Sequence, residues 1–274
     1  MRVLDEIAEQ GVVEAPFRLS VGDEEVPGVL WRPEGVSGPT PTVLIGHGGT
    51  QHKRAANVLG LARRFVRHLG ASAAALDAPG HGDRVTDPER ARAARADLER
   101  RIFEARGTGS APRLAPIDAE AWVASHERAA AEWRALLDAL LAAGVADERV
   151  GYWGLSMGTM IGLPLLASEP RIACAVLGLA SLTGWPDEDR RRAAAQKIGI
   201  PVLFVLQWDD QLMTREAGLE LFDALGSADK AMHAFPGGHI DTPLYERDAY
   251  DTFFARHLRG GAGSVPGAPR VAAP

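Results

Sequence analysis

The sequence predicts an α/β fold with a mostly parallel central sheet of about eight strands, flanked by helices on both faces. Three observations carry this. Apolar runs of strand length (TVLIGH, ASAAALD, VGYWGLS, ACAVLGLA and PVLFVLQW) recur along the chain, with helical periodicity between them. These runs are apolar throughout rather than alternating, as expected of strands covered on both sides. Strands that alternate with helices pair in parallel, because parallel neighbours need long crossover connections.

The elements follow in order. After a short amphipathic start come FRLSV and VPGVLWRP, two β-rich runs separated by Gly22-Asp23, a hairpin signal. Val58, Leu61, Ala62, Phe65, Val66 and Leu69 fall at helical spacing behind TVLIGH, and Gly70 ends that helix. A long helix is predicted from about Asp118 to Ala143. Trp122, Ala129, Trp133, Leu136, Leu137, Leu140 and Leu141 form its apolar stripe, and Gly144 stops it. Further helices are expected over roughly Arg215 to Leu225 and Tyr245 to Leu258, with MHAFPG a final short strand between them. There is no internal repeat, and residues 1–258 read as one domain. The insertion Arg84 to Ile117, in which arginines outnumber acids, is helical in composition until it breaks at Gly107-Thr108-Gly109. It reads either as a solvated helix or as one wall of a cleft. Residues 259–274, rich in Gly, Pro and Ala, read as a disordered tail.

Composition narrows the function classes. Of 274 residues, 46% are hydrophobic and 24% charged, enough to build a sizeable core. A net charge of −6 argues against nucleic acid or an anionic membrane as partner and leaves small molecules. The lone cysteine, Cys174, allows neither an internal disulfide nor a cysteine-based metal site. The opening MRVLDEIAEQG has no apolar run of signal-peptide length, and no segment reaches the roughly 20 apolar residues of a membrane span. The expectation is a cytoplasmic protein, monomeric or homodimeric.

Parallel sheets collect their reactive groups at the carboxyl ends of the strands. Gly154-Leu155-Ser156-Met157-Gly158 stands there, after a strand run and before a helical pattern. A serine on such a sharp turn occupies strained backbone angles, and the glycines on either side let the turn close. The N–H of Met157, at the helix start, then faces a developing oxyanion. A plain Gly-rich loop is the alternative reading, and the strand-before, helix-after context argues against it. A serine hydroxyl needs a base within reach. His239, in FPGGHID after the last strand, can swing over the sheet edge.

Three more segments complete a pattern: His47-Gly48-Gly49, Asp77-Ala78-Pro79-Gly80-His81-Gly82, and Trp208-Asp209-Asp210-Gln211 ahead of Gly237-Gly238-His239. From Phe17 to Leu258 the chain resembles the α/β-hydrolase superfamily, near its capless carboxylesterase and dienelactone-hydrolase-like branches. The resemblance implies Ser156 as nucleophile, His239 as base and an orienting acid at Asp210, favoured over Asp209 because Gln211-Leu212-Met213 follow it. It implies an oxyanion hole from the N–H groups of Met157 and Gly49, with Thr50 the next choice, and gives His47 and His81 structural roles. Dienelactone hydrolases use a cysteine where this chain has Ser156, which favours ordinary esters. His52, Thr50, Trp185 and Met213 are the candidate substrate-lining residues. The expected function is hydrolysis of small to medium carboxylic esters through an acyl-enzyme, with no metal or organic cofactor. The alternatives are an acyltransferase or thioesterase with the same triad and, more distantly, a non-catalytic ligand-binding protein on this fold.

Overall fold

A computed structural model describes residues 1–105 and 117–258. The expected break at Gly107-Thr108-Gly109 and the expected tail at 259–274 lie outside the described residues. The strands are β1 (Arg2–Val3), β2 (Ile7–Glu9), β3 (Val12–Val21), β4 (Glu24–Pro33), β5 (Thr40–Gly46), β6 (Ser72–Leu76), β7 (Ala146–Gly154), β8 (Ile172–Gly178), β9 (Val202–Gln207) and β10 (Lys230–Phe235). The helices are α1 (Ala56–Leu69), α2 (Pro88–Ala105), α3 (Ala119–Ala142), α4 (Met157–Leu166), α5 (Glu188–Lys197), α6 (Arg215–Ala224) and α7 (Glu246–Leu258).

All ten described strands form one sheet, in the order β1-β3-β4-β6-β5-β7-β8-β9-β10, with β2 also paired to β3. The hairpin of β3 and β4 is antiparallel and β4 joins β6 antiparallel. From β6 through β5, β7, β8 and β9 to β10 every pairing is parallel. The sheet thus has ten strands where about eight were expected. The excess is β1 and β2, which the sequence presents as a short amphipathic start. Their side chains are exposed, so no apolar pattern marks them; they exist by hydrogen bonding to β3.

Capping sets the helix ends. Asp118 accepts the Ala121 N–H at 3.0 Å, starting α3, and Gly144 follows its end at φ 64°. Gly70 closes α1 in the left-handed region, at φ 62°. The core has two layers because successive strand residues point to opposite faces. Val43, Ile45, Trp153, Val176 and Val205 pack under α1 and α7. Leu44, Tyr152, Leu177 and Phe204 pack with α3, α4, α5 and α6 on the other face. No described helix is long and apolar enough to cross a membrane.

Candidate functional site

The turn from β7 into α4 is shaped by close approach. A Cβ on Gly154 would stand 2.7 Å from the Gly158 carbonyl oxygen, and one on Gly158 would stand 2.5 Å from that of Gly46. Only glycine fits either place, so the turn drives α4 directly against the end of β5. Between them Ser156 sits at φ 58°, ψ −120°, a backbone conformation an L-residue reaches only with strain. Its own N–H donates to the Gly178 carbonyl at 2.9 Å. Thr159 Oγ1 lies 2.7 Å from the carbonyl oxygens of both Gly154 and Gly178, locking the turn onto β8.

His239 reaches this serine from the loop after β10. Its Nε2 is 2.9 Å from Ser156 Oγ and its Nδ1 is 2.7 Å from Asp210 Oδ2. The other oxygen of Asp210 accepts the N–H groups of Leu212 and Met213, at 2.8 and 2.9 Å. With Nδ1–H given to a carboxylate, Nε2 presents a lone pair to the serine hydroxyl. Both His239 and Asp210 are buried. Asp209 points elsewhere: its side chain is 66% exposed, beside Arg215 at 3.8 Å. The structure therefore brings Ser156, His239 and Asp210 together and leaves Asp209 out.

Gly49 and Met157 are also adjacent, a Cβ on Gly49 falling 3.8 Å from Met157 Cβ. The Gly48 N–H donates to Gln51 Oε1 at 3.2 Å. The loop after β5 is held by the turn after β6. His81 places Nε2 2.8 Å from the Gly49 carbonyl and Nδ1 2.9 Å from that of Pro79. His47 Nε2 accepts the Ala78 N–H at 3.1 Å while Nδ1–H donates to the Gly48 carbonyl at 2.8 Å. Burial pushes the His47 pKa down to about 4, so the ring stays neutral and keeps both roles. Beneath them Asp77 accepts the Lys53 ammonium at 2.6 Å, the Lys53 N–H at 2.9 Å and the Asp83 N–H at 2.8 Å. The hydrogen bond from Lys53 holds the Asp83 carboxyl below the usual carboxylate range.

A cavity of about 660 Å³ opens over Ser156 and His239. Thr50 lines it, as do Gln51, Trp153, Leu155, Leu179 and Tyr250. His52, Trp185 and Met213 are not among its lining residues. His52 Nδ1 accepts the Arg54 N–H at 3.2 Å. Trp185 stacks on Trp122, with ring centroids 4.9 Å apart, and Met213 is buried beside Ser181. Trp185 and Met213 belong to the layer under α3 and α4, whereas the cavity opens on the α1 and α7 side. A loop at the strand ends does not reveal which face its side chains join, and that is why these two were misplaced.

Two features go further than the sequence reading: the first gives residues to the cleft wall that the Arg84 to Ile117 insertion offered, and the second had no sequence signal. Arg95, Leu98, Glu99, Ile102 and Phe103, one stripe of α2, wall the cavity. Their spacing was readable: Leu98, Ile102 and Phe103 are the only large apolar residues of that helix and share a face. The second is Gln211. Its Oε1 accepts the His239 N–H at 3.2 Å and its Nε2 donates to the Ile102 carbonyl at 3.3 Å, near the end of α2 where carbonyls lack intrahelical donors. No local pattern announces that bridge.

No sequence-family model and no curated protein matches the chain. Among solved structures it is similar to a cold-adapted esterase from an Arctic intertidal metagenomic library, at 32% identity and a TM-score of 0.74 over 92% of this chain and 97% of that one. An acetyl xylan esterase from Thermoanaerobacterium shares the fold at 15% identity and a TM-score of 0.65, over 93% of this chain and 87% of that one. A dienelactone hydrolase from Anabaena variabilis does so at 18% and 0.61, over 91% and 100%. The near-complete overlap with the esterase at 32% identity, on a shared mostly parallel sheet, shows that the chain belongs to the α/β-hydrolase superfamily.

Proposed function

We propose that this chain is a carboxylic ester hydrolase of the serine type. The observation that carries the reading is the unbroken relay of hydrogen bonds from Asp210 through His239 to Ser156, at 2.7 and 2.9 Å. Ser156 Oγ attacks the ester carbonyl carbon while His239 Nε2 takes the hydroxyl proton. Asp210 holds the ring in the required tautomer and stabilises the imidazolium that forms. The oxyanion is received by the N–H groups of Met157, at the positive end of α4, and of Gly49. Such donors, fixed before the reaction begins, commonly supply about 3 kcal/mol each. The tetrahedral adduct collapses, His239 gives its proton to the departing alcohol, and water repeats the sequence on the acyl-enzyme.

A cavity of about 660 Å³ suits a small to medium ester, within the usual range for small-molecule sites. Similarity to the cold-adapted esterase supports the same reaction class. Initial rates on p-nitrophenyl acetate and butyrate test it. The expected result is turnover by the wild type and a loss of about 10⁴-fold or more in kcat for Ser156→Ala, with the fold unchanged by circular dichroism. Equal rates in the two proteins would remove Ser156 from the mechanism.

A further inference from the structure

The four most exposed large apolar side chains among the described residues are Phe103, Ile240, Leu244 and Tyr245, at 72%, 69%, 74% and 66%. Single exposed apolar residues are ordinary on a protein surface; a cluster at one place is not. Three of these, Phe103, Ile240 and Leu244, line the cavity that contains Ser156 and His239, and Tyr245 follows Leu244 directly. They come from two separate segments. Phe103 stands on the cavity stripe of α2, while Ile240 and Leu244 belong to the loop that begins at His239.

Deeper in the cavity the surface is also apolar, with Leu98, Ile102, Leu155 and Leu179. Apolar side chains thus line the cavity both near the serine and at an outer part that stands mostly in water, with the charged Arg95, Glu99 and Arg247 also in the wall. A short ester leaves that outer part wet. An ester with a longer apolar arm covers it, and each methylene moved out of water is worth about fourfold in affinity.

We propose that Phe103, Ile240 and Leu244 form an outer subsite for an extended apolar arm, making the substrate class esters with one medium-length alkyl or aryl group. This rests on the ester-hydrolase reading of the site. The subsite determines specificity and does not touch the reacting atoms. Variants there act on the ratio of long-ester to short-ester kcat/KM, because Phe103 and Leu244 touch the arm of the substrate and not the Ser156, His239 and Asp210 relay.

The test compares two monomeric substrate series, both kept below the concentration at which they aggregate. One is p-nitrophenyl esters from acetyl to decanoyl, and the other is acetates of alcohols from ethyl to decyl. In at least one series kcat/KM is expected to rise about tenfold or more between four and eight carbons. The double variant Phe103→Asp, Leu244→Asp should lose that rise, its ratio of eight-carbon to two-carbon kcat/KM falling about tenfold or more below that of the wild type. Flat or falling rates in both series would overturn the proposal, as would a rise that survives in the double variant. A rise that appears only above the aggregation point would make the rim a dock for lipid surfaces and also overturn it. Turnover of p-nitrophenyl acetate in these assays keeps the reaction class separate from the subsite. Should no ester of any length be cleaved, calorimetric titration with decanamide reads the subsite alone. Binding by the wild type that weakens about tenfold in the double variant upholds the subsite, and equal binding or none overturns it.

Discussion

Around Ser156 the chain has almost no freedom, whereas α2, over the same cavity, is held by little. In the turn, Gly154 and Gly158 admit no side chain, Thr159 bridges two strands, and His47 and His81 tie neighbouring loops by their backbones. In α2 one residue, Ile102, is buried. Its charged residues pair largely along the helix itself, Arg95 with Glu99 at 2.8 Å and Arg100 with Glu104 at 2.9 Å. Exposed pairs of that kind are screened by solvent and add little to stability. Under the proposed function the difference separates two tasks. Bond-making needs groups held to fractions of an ångström, so the framework there is overdetermined. A wall that selects among substrates tolerates looser attachment.

The largest effect is expected at the acid. Asp210→Asn should lower kcat by about 10³- to 10⁴-fold with little change in melting temperature, because an amide cannot hold the same tautomer of His239. Asp209→Asn, at an exposed carboxylate, should stay within about twofold in the same p-nitrophenyl butyrate assay. Similar losses in both would mean that the acid position is not rigidly specified.

His47 tests the rigidity of the framework by pH. Its folded pKa, about 4, lies below the ordinary 6.5, so the unfolded chain binds a proton that the native state refuses. The stability this neutral ring supports is complete above pH 6.5 and is lost as pH falls through the window down to 4. The span corresponds to about 3 kcal/mol. Denaturant titrations of wild type and His47→Gln should show a smaller loss in the variant across that window. Parallel curves would place the acid sensitivity elsewhere.

The smallest effect is expected where the two regions meet. Gln211→Leu removes the acceptor for the His239 N–H and the donor to α2, and should lower kcat about tenfold with KM little changed. Gln211→Glu keeps the acceptor and should recover most of that loss. If Leu and Glu behave alike in kcat, the link to α2 matters more than the link to the histidine loop.

Much of this is legible in the sequence. The apolar runs located β5 through β9, because a strand buried on both faces has no choice about composition. The turn at Gly154 to Gly158 was legible because its geometry is local: five residues contain both the strain and the glycines that relieve the crowding. That Ser156, Asp210 and His239 stand just after strand runs, here β7, β9 and β10, follows from a parallel sheet, and their order is what the family resemblance implied.

Tertiary structure alone decided the rest. It separated Asp210, which the resemblance favoured, from Asp209: the neighbouring side chains leave the loop in different directions, one onto His239 and one into solvent. It put the cavity on the α1 and α7 side, which excluded Trp185 and Met213 from its wall and admitted α2. It added β1 and β2, strands whose exposed side chains leave no periodic mark. The physical reason is the same in each case. A sequence records what each residue must bury or bend, and those demands are local. Which surfaces meet across a cavity depends on segments a hundred residues apart, such as Ile102 and Gln211, and no single stretch of chain encodes that meeting.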